Sequence, residues 1–411
     1  MVRILGISDS KDLNKVMQEI KVDPYGIKIM VPKATTHLVR INSVSSIAAN
    51  ILKQEMLSLG GDVAVARDVL TGKTRRTDCL LMGNLSQFMR LDEKLNKQPF
   101  GLNGLAGELS CALANYKKND FKVNLGKYKL DLRKGRTYIM GIVNMTPDSF
   151  SADGLYQAPR LSLPRRQAGG RQVSCIINYV ERLVEEGADI IDVGGESSRP
   201  QAKAVPIKEE LARTIPVIKA LAKRIRVPVS IDTYKPEVAR RALDNGAVIV
   251  NDITGLKDPG MRRAVCGYKA GVIIMHMQGN PRTMQKNPHY DSLVDEIIEY
   301  LDMAIDRAVE AGIDREKIII DPGIGFGKTV EHNLEILKRL KELKVLGRPI
   351  LTGPSRKSFI GKILDVGPQE RLFGTISAVV LAVQNGANIV RVHDVKEVKQ
   401  ALKITEAILN C

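Results

Sequence analysis

The sequence predicts an α/β protein: a (β/α)8 TIM barrel over residues 135–411, preceded by a smaller α/β or α+β domain over residues 1–134. Three observations carry this. From Thr137 onward, short apolar runs alternate with amphipathic helical patterns, the signature of parallel strands joined by crossover helices. About eight such units fit into the roughly 275 residues available, the usual size of a barrel. Almost every apolar run also ends in a polar or charged residue, at the strand ends where barrels and open α/β sheets place their chemistry. A doubly wound open sheet is the other arrangement these units allow.

Taken in order, residues 37–41 read as a strand leading to a helix over 45–59, in which Ile47, Ile51, Leu52 and Met56 recur at helical spacing. Gly60 and Gly61 end that helix. Strands follow at 62–66 and 79–82, then helices at 85–95 and 105–116. Gly72-Lys73-Thr74 lacks the upstream glycine of a nucleotide-binding P-loop. The polar stretches 117–120 and 127–136 read as a linker. Barrel strands are expected at 137–145, 188–194, 228–232, 248–253, 271–277, 318–323, 349–355 and 388–394. Helices lie between them, among them 180–186, 209–223, 236–245 and 293–311. Glycines at 187, 246, 312 and 386 stand where helices should stop.

Composition narrows the function. With 411 residues, 44% apolar and 26% charged, the chain can bury a sizeable core. The five cysteines are scattered without a C-x-x-C pair, and the five histidines form no H-x-x-x-H. That argues against a thiolate metal site or a disulfide scaffold. The first residues run into charge without a leader-like apolar region, and no run approaches the ~18 residues of a membrane helix. A soluble, cytoplasmic protein is expected. The net charge of +16 suits an anionic partner. Aromatic residues make up only 4% with no Trp, so stacking platforms for single-stranded nucleic acid are not indicated.

The strand ends supply the candidate site. Asn144 closes the first, Asp192 opens a Gly-Gly-Glu-Ser-Ser-Arg turn after the second, and Asp232 closes the third. Asn251 and Asp252, His276 and Asp321 close the next three; Lys357 with Ser358, then Arg391 and His393, belong to the last two. Asp232, Asp321 and Asn251 can pair with the edge of a flat heterocycle, a specific contact because unpaired buried groups are costly. Arg199, Lys357, Arg391 and His393 are cationic, as a diphosphate with Mg²⁺ requires, and Asn144 offers a carbonyl-type ligand. A heterocycle pocket beside a diphosphate pocket suggests transfer of a heterocyclic methyl group with diphosphate leaving. No thiol nucleophile or Ser-His-Asp spacing appears, which favours positioning and leaving-group stabilisation.

GIVNMTPDSF, DVGGESSRP, SIDTYKPEVA, ND at 251–252, MHMQGNP, DPGIGFGKT, GPSRKSFIG, RLFGT and RVHD occur in this order. Together, over about 137–410, they resemble the dihydropteroate synthases, pterin-binding (β/α)8 transferases of folate synthesis. The resemblance implies joining (7,8-dihydropterin-6-yl)methyl diphosphate to 4-aminobenzoate, giving 7,8-dihydropteroate and diphosphate, with sulfonamides competing for the aminobenzoate place. It implies that Asn144 helps hold Mg²⁺ and the diphosphate. Asp232, Asn251, Asp321 and Lys357 would bind the pterin, and Arg391 and His393 the leaving diphosphate. Ser198 would bind substrate where the family usually has Thr, with the hydroxyl kept, and Arg199 would close over the substrates. Phe326 would pack on the aminobenzoate ring, and N–H groups near Ser358 would take its carboxylate. Lys357, Asp232, Arg391 and His393 are the residues expected to carry the chemistry, and a homodimer is implied.

Two departures stand out. Ala152 interrupts the first loop, and 155–173 is long, basic and Pro-containing, either an enlarged lid or a solvated insertion. Gln201 replaces the Gly that commonly follows Arg-Pro in the second loop. The first third resembles an extension found in some longer family members, and its role is not legible. Two rival readings remain at this stage. A corrinoid-linked methyltetrahydrofolate methyltransferase would share the pterin acids but need no diphosphate cations. A nucleic-acid-binding protein would use the positive charge and show steep salt dependence.

Overall fold

The computed structural model describes residues 1–7, 10–69, 71–133, 135–145, 165–197, 204–281 and 283–411. It divides into two compact units, Met1–Ala114 and Asn115–Cys411.

The first unit is α+β. Strand β1 (Thr36–Ser45) pairs antiparallel with β3 (Arg76–Asn84), which pairs antiparallel with β2 (Asp62–Val65), giving the order β1-β3-β2. Alternation decides its faces. Thr77, Cys79 and Leu81 of β3 point into a core with Leu52 and Met56 of the helix Ser46–Ser58 and Phe88 and Leu91 of Leu85–Leu95. Ser45 caps the first of these helices, and Asn84 with Gln87 forms a capping box on the second. The expected strands and helices are all present. Two helices ahead of them, Ser10–Glu19 and Pro24–Ala34, were not among the expected elements.

The second unit opens with a hairpin, β4 (Phe121–Leu125) and β5 (Tyr128–Leu132), in a stretch expected to be mostly linker. Gly126, at φ 65°, makes the tight turn. Phe121, Val123, Leu125, Leu130 and Leu132 then form one cluster with Tyr138, Met140, Ile190, Ile249, Ile273, Ile319, Leu351 and Ile389. These last residues lie in the barrel strands, so the hairpin stops the barrel floor. The break between units therefore precedes the hairpin, ahead of the boundary expected at 134/135.

Eight parallel strands follow: β6 (Tyr138–Asn144), β7 (Ile190–Gly194), β8 (Val229–Asp232), β9 (Ile249–Asp252), β10 (Gly271–Met275), β11 (Ile318–Asp321), β12 (Leu351–Thr352) and β13 (Ile389–Val392). Their order is β11-β10-β9-β8-β7-β6-β13-β12, and a parallel bridge between Ile320 and Ile350 joins the two ends into a ring. Helices pack outside it through the largest core, which includes Val180, Leu221, Val238, Ile297, Ile336 and Val398. The barrel, not the open sheet, is the observed arrangement. With the floor plugged, only the mouth at the carboxyl ends remains for a ligand. Of the basic insertion, 155–164 lies outside the described residues, and its latter part opens the helix Arg165–Glu185.

Candidate active site at the barrel mouth

Parallel register brings the strand ends together on one rung. Asn144 stands opposite Gly194, Gly194 opposite Asp232, and Asp232 opposite Asn251; across the barrel Met275 stands opposite Asp321. At Gly194 a Cβ would lie 3.5 Å from Asp232 Cβ and 3.6 Å from the Asn144 amide oxygen, so the position borders both groups. Its bareness lets the amide and the carboxylate share one space.

Arg391 is the centre of the site. Its Nε donates to Asp192 Oδ2 at 2.7 Å and its Nη2 to Asp232 Oδ2 at 2.7 Å. Asp192 Oδ2 also accepts from Asn251 Nδ2 at 3.1 Å. One guanidinium thus holds two carboxylates, and one carboxylate orients both the guanidinium and an amide. Asp192 is fully buried, and its Oδ1 has no hydrogen-bond partner among the described residues. An orphaned buried oxygen at the floor of a polar cup is what an incoming N–H donor would satisfy.

Burial, reinforced by Asp192 and Glu210 and opposed by Arg391 and Lys357, pushes the Asp232 carboxyl up to about 7. Burial also raises Asp321, to about 6, against the Gly323 N–H that donates to its Oδ1 at 2.7 Å and against Lys357, Lys328 and Arg391. Raised acids in a concave polar site mark a binding centre. Asp252, next to Asn251, serves the turn instead: it accepts from Thr254 N at 2.8 Å, Thr254 Oγ1 at 2.7 Å and Leu256 N at 3.0 Å.

The cationic side comes from the last two strands. Lys357 precedes the helix Ser358–Leu364, and its Nζ sits 4.2 Å from the centroid of the Phe326 ring. His393 pairs with Ser355, Nδ1 to Oγ at 3.0 Å, while the main-chain N–H of His393 donates to the same Oγ at 3.2 Å. Arg356 is tied to Asp394, which fixes the turn carrying Lys357. Phe326 belongs to an apolar wall with Ile253, Met275, Met277 and Met284, and Tyr234 packs against it. Beside Asp232 a small cleft is lined by Glu196, Glu210, Thr233, Tyr234, Ile253 and Pro281, among others.

The structure therefore gathers Asn144, Asp232, Asn251, Asp321, Phe326, Lys357, Ser358, Arg391 and His393 at one mouth. Ser198 and Arg199 lie outside the described residues. Asp192 was quoted in its motif but not counted as a site residue. The available signal was an acid inside the otherwise apolar run Ile190–Gly194, two residues before its end. Among the described residues no group of three or more His, Cys, Asp or Glu side chains is placed to hold a metal ion. Asn144 offers an amide oxygen, which would suit a Mg²⁺ that brings water and phosphate ligands with it.

The model of the family described as pterin binding enzyme matches residues 140–393. The dihydropteroate synthase of Escherichia coli (strain K12) is 45% identical over 273 residues, covering 66% of this chain and 92% of that protein. A probable bifunctional folylpolyglutamate synthase/dihydropteroate synthase of Halobacterium salinarum is 38% identical over 396 residues, covering 96% of this chain and 46% of that protein. The first third of the chain therefore has a counterpart there. The structure of Xanthomonas albilineans dihydropteroate synthase with 4-aminobenzoic acid superposes with a TM-score of 0.63 at 41% identity, covering 71% of this chain and 99% of that one.

Proposed function

The chain belongs to the pterin-binding enzyme family, and from that premise we infer that it is a transferase with dihydropteroate synthase activity. It joins (7,8-dihydropterin-6-yl)methyl diphosphate to 4-aminobenzoate, releasing 7,8-dihydropteroate and diphosphate. One observation carries the reading down to residues: Arg391 is bonded to Asp192 and Asp232 at once. Ring-recognising acids and a cation for the leaving group thus share one cup.

In this reading Asp232, Asp321 and Asn251 pair with the ring's amino and ring N–H donors and its carbonyl. Each buried acid then gains partners that burial otherwise denies it, which makes the contact selective. Lys357 lies over the ring edge next to Phe326, and the arylamine packs on Phe326. The main-chain N–H groups at the start of Ser358–Leu364 face its carboxylate. Arg391 and His393 hold the departing diphosphate, with Ser198 and Arg199 completing the substrate side. The carbon–oxygen bond to diphosphate breaks first, leaving a cation that the pterin ring stabilises; the arylamine nitrogen then bonds to that carbon and loses a proton to solvent. The cations stabilise negative charge that builds on the leaving oxygen, so they act more strongly in the transition state than before it. Asn144 would hold Mg²⁺ carried in with the diphosphate; when bound, the ion would offset phosphate charge and ease departure.

The cationic set is what separates this reading from a corrinoid methyltransferase, which has no diphosphate to receive. No nucleic-acid partner is invoked. Among the described residues no helix is long and apolar enough to cross a membrane, and the reading extends to a cytoplasmic location. It also includes a homodimer. Phe373 (80% exposed), Ile404 and Ile408 leave an apolar face on the helices Leu372–Gln384 and Val395–Asn410, which a second copy would cover.

The test is diphosphate release by the full chain with the pterin diphosphate and 4-aminobenzoate, with and without Mg²⁺. Asp232→Asn and Lys357→Ala should each cut turnover strongly while the fold stays intact. Turnover that persists in either folded variant removes that residue from the mechanism. No release by the native chain overturns the reading.

A further inference from the structure

The loop after β11, Asp321 to Lys328, ends in a buried lysine to which no role has been given. Lys328 is 3% exposed, yet both its hydrogen-bond acceptors are neutral: the Phe326 carbonyl at 2.9 Å and His276 Nδ1 at 3.0 Å. A buried ammonium is costly unless its donors are satisfied. Of its three donors two are taken, by the groups that support the arylamine wall, and burial drives Lys328 itself down to about 7 against the pull of Asp321. Burial, with Lys328 and Lys257 adding to it, drives His276 down to about 2, so the ring is neutral. A neutral imidazole accepting at Nδ1 carries its proton on Nε2. Tyr300 packs edge-on against that ring, with centroids 4.8 Å apart, and its hydroxyl donates to Thr254 O at 2.9 Å.

The loop is held at Gly325, Phe326 and Gly327 in turn. Gly325 N–H donates to Asn333 Oδ1 at 2.6 Å, and Gln285 Nε2 donates to Gly325 O at 2.8 Å. Phe326 O belongs to Lys328, and Gly327 O accepts from the Tyr290 hydroxyl at 2.8 Å. Gly323 runs so close to the neighbouring strand end that a Cβ there would fall 2.0 Å from His276 O, and its φ of 71° favours glycine in any case. Such a loop does not adapt to a ligand; it presents one surface. That surface is the Phe326 ring, with Lys357 above it.

We propose that Lys328 is a positioning residue for the arylamine. From beneath the loop its Nζ ties the Phe326 carbonyl to the His276 ring and so fixes the level of the Phe326 ring under Lys357. It touches neither substrate. Rather than catalysing a step itself, it holds in place the surface that receives the arylamine, so its loss weakens arylamine binding. This rests on the reading that 4-aminobenzoate packs on Phe326.

Lys328→Met keeps the side chain's length and removes its donors; Tyr290→Phe releases the next carbonyl of the same loop from the other side. Steady-state kinetics are taken with each substrate varied in turn, alongside thermal unfolding. The expected result for Lys328→Met is a folded protein whose KM for 4-aminobenzoate rises about 10-fold or more. The KM for the pterin diphosphate should stay within about two-fold, and Tyr290→Phe should show the same asymmetry in weaker form. An unchanged KM for 4-aminobenzoate in folded Lys328→Met overturns the inference, as do equal rises for both substrates. If Lys328→Met does not fold, Tyr290→Phe decides alone by the same split. A native chain inactive with 4-aminobenzoate would instead sink the functional reading.

Discussion

Asp192→Asn is the substitution that probes the centre of the site most directly. The carboxylate is fully buried, with Oδ2 shared between Arg391 Nε and Asn251 Nδ2 and Oδ1 unpartnered among the described residues. Asparagine keeps the shape and removes the charge. Arg391 keeps its bond to Asp232 Oδ2, so the guanidinium is not stranded, and the full penalty for breaking a buried ion pair does not apply. The loss is one charge-assisted hydrogen bond, about 1.5–3 kcal/mol. At 1.36 kcal/mol per tenfold, kcat/KM for the pterin diphosphate should fall roughly 10- to 150-fold. A second effect has a definite sign. Asp192 raises the Asp232 carboxyl, so neutralising it, while leaving Arg391 to Asp232 alone, should lower that pKa. The acid limb of the pH–kcat/KM profile should therefore move to lower pH, while thermal stability changes little because a desolvated charge has been removed. The assay is diphosphate release across pH 5–9, with unfolding followed in parallel. A folded variant with kcat/KM within two-fold of native and an unmoved acid limb refutes the argument that Asp192 orients Arg391.

Other consequences follow from the same geometry. Pterin binding should weaken as pH falls through about 7 to 6, because Asp232 and Asp321 must be ionised to accept the ring's donors; titration of pterin fluorescence checks this, and Asp321→Asn should bind weakly with a flatter profile. The same raised carboxyl gives Asp321 a stability term present below its unfolded value, about 4, and lost as pH rises to about 6; unfolding midpoints should show a shallower fall over that window in Asp321→Asn. Chelation of Mg²⁺ should abolish diphosphate release, and Asn144→Ala should raise the Mg²⁺ concentration needed to restore half of it. A chain cut to 130–411 loses buried Phe121, Val123 and Leu125, about 4–9 kcal/mol of burial against a total stability of about 5–15, and should not fold, whereas 115–411 should; circular dichroism separates the two.

The truncation shows where the sequence was legible and where it was misread. The barrel strands announced themselves because each is an apolar run with a polar end, and that pattern follows from burial on both faces with a mouth at one end. Residues 121–132 carried an equally good signal: Phe121, Val123 and Leu125 alternate with polar neighbours, Gly126 makes the turn, and Leu130 and Leu132 resume the alternation. Its lysines and position between two larger patterns made it look like linker. In fact the alternation fits a strand pair with one face on a core and one in water, which is how a hairpin closes a barrel floor.

A different limit governs the site. Residues that meet a ligand are legible because they stand at strand ends, where nothing structural demands an acid, an amide or a guanidinium. Residues that hold those groups in place have no such address. Lys328 closes a glycine-rich loop and reads as one more surface charge; only the folded chain shows it 3% exposed beneath Phe326. Asp192 reads as the start of a turn, though it is the oxygen on which Arg391 and Asn251 both depend. Both are charged groups that long-range packing has enclosed, and the energy of enclosing them is returned by fixing neighbours that must not move. Partners such as Arg391 for Asp192, on the last and second barrel strands, and His276 for Lys328 lie far away in sequence, so local pattern can flag an acid in an apolar run but not what it holds. The supporting charges of such a mouth are therefore where substitutions should disturb one substrate and spare the other, and the kinetics of Asp192 and Lys328 variants should divide along that line: the pterin diphosphate for the first, the arylamine for the second.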